Sequence, residues 1–123
     1  MSFLFLRAYW KLLRFELSVV RRDFSALHRT ARRYPVARRA SSYPIAAICS
    51  AVDRACVWYP KRVLCLQRSI TSAFLLKDNG ISAEVVLGTQ QIPFKAHAWV
   101  EVNRRVVNDK PYTPEIYKEL DRW

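Results

Sequence analysis

The chain has 123 residues and a mass of 14.4 kDa, the size of one domain. Apolar residues make up 51% and charged residues 25%, which excludes disorder along the whole length. The net charge of +11 is unevenly placed: residues 1–40 carry ten basic and two acidic side chains, so a basic arm precedes a nearly balanced body.

Residues 3–33 contain neither Gly nor Pro, and Arg7, Lys11, Arg14, Ser18 and Arg21 recur every three or four positions. That period predicts a helix, broken or continuous, with a basic stripe. Leu6, Trp10, Leu13, Leu17 and Val20 form an apolar stripe on another side. The plain expectation is a helix packed on the body with its basic face solvated. Docking to an acidic partner or lying on an anionic surface are the functional alternatives. Charge alone also admits nucleic acid, but no base-reading or stacking motif accompanies it, so nucleic acid is not expected as a partner.

Tyr34-Pro35 must end the helix, because the residue before proline is pushed out of helical geometry. Residues 34–44 read as a connector and 45–58 as a further helix, with Ile45, Ile48, Val52 and Cys56 on one spacing. Pro60 interrupts the chain. Cys65 to Lys77 predicts a helix closed by Asp78-Asn79-Gly80, with Gly80 in the left-handed position. Three β segments follow, at 83–87, 95–103 and 105–108. In the second, Ala96, Ala98, Val100 and Val102 alternate with His97, Trp99, Glu101 and Asn103. Helices followed by an antiparallel meander make an α+β fold. The expected organisation is an arm and connector over 1–44 and a core over 45–123.

Cys49, Cys56 and Cys65 cannot all pair within the chain, and their spacing is not that of a zinc site. No metal or cofactor is implied. The longest uncharged stretch, Ser41 to Val52, is too short to cross a bilayer, and the N-terminus lacks a signal-peptide pattern. The expected setting is therefore the reducing cytoplasm; membrane contact is not expected, and docking of the first helix on an anionic membrane surface stays an alternative.

Cys49 and Cys56 lie among Ala, Ile and Val and read as small core residues. Cys65 differs. It opens a helix beside Lys61, Arg62 and Arg68, where the helix dipole and cations favour the thiolate. His97, flanked by small alanines, is a candidate base, whereas His28 in the Arg-rich arm reads as a solvated residue. A hairpin turning about Asn103 would set Asp109 opposite His97, so that a carboxylate holds one ring nitrogen and leaves the other for the thiol. A two-residue turn at Asn103-Arg104 would instead send Asp109 to the opposite face, so this geometry predicts an odd-length turn or a bulge.

Four motifs carry a resemblance. Cys65-Leu66-Gln67-Arg68-Ser69, Asn79 through Gly88, Pro93 through Glu101, and Val107-Asn108-Asp109 are similar, in order and spacing, to the transglutaminase-like domain of lasso peptide biosynthesis B proteins. More narrowly they resemble the stand-alone B2 leader peptidases. The resemblance implies N-terminal helices before a transglutaminase-like core, with a nucleophile helix packed on a small antiparallel sheet. It implies a Cys-His-Asp triad at Cys65, His97 and Asp109 and removal of the leader from a lasso precursor. It also implies a separate small recognition protein of the B1 type that presents the leader, with the lasso cyclase as a candidate further partner. The oxyanion would meet the Cys65 N–H and a second donor, for which Gln67 and Trp58 are candidates. The basic arm (Arg21, Arg22) or the Arg38-Arg39 connector would dock the partner complex. The alternatives are an acyl or amide transferase of transglutaminase type and a non-catalytic basic binding module.

Overall fold

The computed structural model describes residues 3–19, 24–38, 43–60 and 63–123. Arg21, Arg22, Arg39, Lys61 and Arg62, to which the sequence assigns docking or electrostatic roles, lie outside the described residues. The elements run α1 (Phe3–Val19), α2 (Phe24–Arg33), α3 (Ile45–Trp58), α4 (Cys65–Asp78), β1 (Glu84–Gln91), β2 (Phe94–Val102), β3 (Arg105–Val106), α5 (Thr113–Ile116) and β4 (Lys118–Arg122). The fold is α+β, as expected. The expected helix over 3–33 forms as two pieces, α1 and α2.

Helices α1, α3 and α4 pack on one another, and α4 lies against the sheet. Their shared core contains Leu4, Ala8 and Leu12 from α1, Ile48, Val52 and Ala55 from α3, Ile70, Ala73 and Leu76 from α4, and Val85, Val100 and Val102 from the sheet. So α1 is packed as part of the body. Its buried face is not the expected one: Leu6 and Trp10 remain exposed while Leu4, Phe5, Ala8 and Leu12 go inside. The basic stripe is not simply solvated either. Lys11 lies 2.6 Å and Arg7 3.5 Å from Asp78 at the end of α4, and Tyr34 donates to the same carboxylate at 2.7 Å. The acid at the C-terminal end of α4 collects two of the cations of α1, Arg7 and Lys11, on the side of α1 next to α4.

Helix α4 ends as expected. Gly80 takes φ 81°, the Gly80 N–H bonds to the Lys77 carbonyl, and Ile81 N–H bonds back to Leu76. This pair of reversed hydrogen bonds satisfies carbonyls that the last turn would leave open.

The sheet is antiparallel in the order β3-β2-β1-β4. Strand β4, Lys-Glu-Leu-Asp-Arg, has no apolar alternation and goes unread in the sequence. It pairs with β1 through a bulge at Leu87/Gly88, and Trp123 and Val85 exchange backbone hydrogen bonds at 3.0 and 2.7 Å. Strand β3 has two residues, so most of one edge of β2 is left without a strand partner. The site is built on that edge.

Candidate active site

Along the open edge of β2, the outward-facing backbone groups of Val102, Val100 and Ala98 need partners, since a buried unpaired N–H or C=O is costly. Val102 pairs with Arg105 of β3. Val100 receives Val107 N–H at 3.0 Å and gives its own N–H to the Asn108 side-chain carbonyl at 2.7 Å. Ala98 is met by α4: its carbonyl accepts Ser69 Oγ at 3.1 Å, and its backbone N–H helps to hold the Cys65 thiol low. The first turn of α4 thus docks where a further strand would lie.

This docking sets Cys65 at the first position of α4, directly after Leu64, and against His97. The thiol is held below its ordinary value. The hydrogen bond with His97 is the main cause; burial opposes it, and the N–H groups of Ala98 and Leu66 add to the lowering. Cys49 and Cys56 behave oppositely: burial pushes Cys49 up to about 11 and raises Cys56. His97 is raised, chiefly by the bond to Cys65; burial works against this, and Asp109 adds to it. The His97 Nε2 lies 2.5 Å from Asp109 Oδ2, which leaves Nδ1 for the thiol. Burial acts to raise the Asp109 carboxyl, but His97, the Lys110 N–H and Arg68 together hold it below its ordinary value.

The turn that brings Asp109 here is not the one expected. Glu101 pairs with Val106 and Val102 with Arg105, a regular two-residue turn whose Asn103 and Arg104 take φ 52° and 65°. That register would carry Asp109 to the wrong face, yet Asp109 reaches His97. The reconciling feature is that the ladder stops at Val106, and the chain leaves it where the Asn108 side chain replaces a backbone carbonyl.

Other expectations change as well. Arg68 does not serve the thiol; its Nε pairs with Asp53 at 2.8 Å and its Nη2 bonds to the Asn108 carbonyl. Gln67 commits its amide to the Leu12 carbonyl at 3.2 Å, while Trp58 stands exposed at the end of α3. Neither is positioned by any described contact at the thiol. His28 is only partly solvated: its ring lies 4.9 Å from that of Trp123, and its Nε2 is 3.5 Å from Asp121.

Tyr117 is a site residue that sequence reasoning missed. Its ring stacks on His97 with centroids 5.0 Å apart, and Trp99 flanks His97 at 6.1 Å. Gly88, opposite His97 in the register, makes room for them; a Cβ there would lie 2.7 Å from the Trp99 ring and 2.9 Å from Tyr117 Cβ. Below, Glu101 is buried yet paired, accepting from Trp99 Nε1 at 2.8 Å and from Arg122 at 2.9 Å. Among the described residues no group of His, Cys, Asp and Glu could hold a metal ion, and no helix is long and apolar enough to cross a membrane. Chemically, the arrangement can supply an ionised thiol, a proton acceptor beside it and a carboxylate fixing that acceptor.

Comparison with known proteins agrees with this architecture. A family model described as transglutaminase-like superfamily matches residues 9–122. A stretch of 47 residues is 40% identical to the microcin J25-processing protein McjB of Escherichia coli, covering 38% of this chain and 23% of that protein. No solved structure matches. The resemblance carried by the four sequence motifs is borne out at the level of family.

Proposed function

The chain belongs to the transglutaminase-like superfamily, and within it we propose a cysteine peptidase that removes the leader from a lasso peptide precursor. The observation that carries the proposal is the convergence of Cys65, at the start of α4, on His97, whose Nε2 lies 2.5 Å from Asp109; the lowered thiol and raised imidazole agree with it. The similarity to a protein named for processing microcin J25 supports a peptide precursor as the substrate class.

In this mechanism Cys65 attacks the scissile carbonyl as the thiolate, and the protonated His97 passes its proton to the departing amine. Asp109 holds Nε2 of the ring and stabilises the imidazolium. The tetrahedral oxyanion meets the Cys65 N–H, which at the first helical position has no intrahelical acceptor. Water, deprotonated by His97, then releases the leader acid from the thioester and regenerates the thiol. The freed amine of the core peptide is left for a separate cyclase.

We assign leader presentation to a separate small recognition protein, as the resemblance to the B2 leader peptidases implies, with both acting in the cytoplasm. The test incubates a lasso precursor with the chain, with and without that recognition protein, and reads products by mass. Leader release that needs the recognition protein and disappears in Cys65→Ala is the expected result. Equal release with and without the recognition protein would remove the presentation step. Unchanged release by Cys65→Ala would overturn the peptidase, and a product carrying an added amine would make the chain a transferase.

A further inference from the structure

The Cys65–His97–Asp109 reading uses three residues of motifs that contain more. Asn108 and Ser69 are both buried, and buried polar side chains are kept only where their hydrogen bonds are made. The Asn108 Oδ1 accepts Val100 N–H at 2.7 Å, and its Nδ2 donates to Ser69 Oγ at 3.1 Å. Ser69 in turn donates to the carbonyl of Ala98, the neighbour of His97, and lies one helical turn beyond Cys65. The backbone carbonyl of Asn108 accepts Arg68, which is anchored by Asp53 of α3. One side chain therefore bonds to the strand that bears His97 and to the helix that bears Cys65, and it immediately precedes Asp109.

We propose that Asn108, clamped by Ser69 and Arg68, is the positioning residue that delivers Asp109 to His97. The proposal rests on the triad reading above. The physical need for it comes from the turn. A regular two-residue turn continued as a ladder points Asp109 away from the His97 face. Val107 N–H still bonds in that register to Val100, but the return bond from Val100 goes to a side chain instead of to the backbone of residue 107. This substitution lets the main chain leave the pairing between 107 and 109 without orphaning Val100. Asparagine suits the task because one amide offers both the acceptor for Val100 and the donor for Ser69. Aspartate keeps the acceptor only, and alanine keeps neither. Asn108 touches no reacting atom; it acts through Asp109.

The test needs no substrate. Alkylation of each cysteine by iodoacetamide at pH 6 is followed by peptide mass mapping in the wild type, Asn108→Ala, Ser69→Ala, Asp109→Asn, His97→Ala and the double variant Asn108→Ala/Asp109→Asn. Asn108→Ala is expected to slow Cys65 to the rate of Asp109→Asn, a fall of about tenfold for each unit by which the thiol pKa rises. The double variant should then be no slower than Asp109→Asn alone, because both changes remove the same contact. A wild-type rate in Asn108→Ala, or two losses that multiply, would show a merely structural residue and overturn the proposal. Should Asn108→Ala open the core, seen as fast labelling of buried Cys49, Ser69→Ala, alone and combined with Asp109→Asn, decides by the same two outcomes. His97→Ala separates the two levels. If it leaves Cys65 as reactive as in the wild type, the triad reading itself fails; if it removes the advantage while Asn108→Ala does not, only the positioning role fails.

Discussion

Cys49, Cys56 and Cys65 share a side chain and differ only in surroundings. Burial raises the first two, Cys49 to about 11, whereas an imidazole partner lowers the third. The signs set the expected pH behaviour. A lowered thiol keeps its thiolate as pH falls until the pH passes its own reduced value, and a raised imidazole keeps its proton as pH climbs past the ordinary 6.5. Cys65 should therefore alkylate faster than Cys49 and Cys56 at any pH below their raised values, with the advantage widest on the acid side. Mass mapping of labelled peptides checks this, and equal rates at all three would contradict it. Legibility at this scale was uneven. Cys65, His97 and Asp109, which the fold brings together, were each marked by position: a helix start, an alternating strand, a hairpin return. Asn108, Ser69 and Tyr117 carried no such mark, because a polar or aromatic residue in a loop or helix gains its role only from what the fold sets beside it.

Individual elements were legible where a local rule acts over a few residues. Pro35 and Gly80 end helices for conformational reasons that neighbours in space do not alter. The β2–β3 turn was misjudged because its length depends on where the ladder stops, which the turn residues alone do not say. Arg104 sits there at φ 65°, a region that costs an ordinary residue about 1–2 kcal/mol. Arg104→Gly would create the preferred Asn-Gly pair for such a turn. It should stabilise the protein by about 1 kcal/mol, read as a rise in Tm of about 4 °C. Gly88→Ala acts in the opposite direction. Its added methyl meets Trp99 and Tyr117 inside 3 Å, so a loss of about 1–3 kcal/mol is expected in denaturant titration. The same displacement should loosen the rings stacked on His97, seen as slower Cys65 alkylation at pH 6.

At the scale of the molecule, the core is continuous from α1 to the sheet, and α1 contributes Leu4, Phe5, Ala8 and Leu12 to it. Removing residues 1–19 would open that core by more than a typical single large-to-small substitution, itself about 2–5 kcal/mol, against a total stability of about 5–15 kcal/mol. The truncated chain should lose its cooperative thermal transition, and a retained sharp transition would show that α1 is dispensable. What the sequence determined by itself was local or compositional: the α+β order, the helix of Cys65 with its glycine stop, the alternating strand of His97, and the family resemblance. These follow from periodicity and from the conformational limits of Pro and Gly, which act within one or two turns of chain. Only the tertiary structure decided which face of α1 is buried, that Lys-Glu-Leu-Asp-Arg becomes an edge strand, and how Asp109 reaches His97. Each of those depends on a backbone edge or a charge finding its partner across the fold. Asp78 gathers Arg7 and Lys11 of α1, Thr89 to Val86 of β1 offer their edge to β4, and the open edge of β2 takes Ser69 and Asn108 in place of a strand.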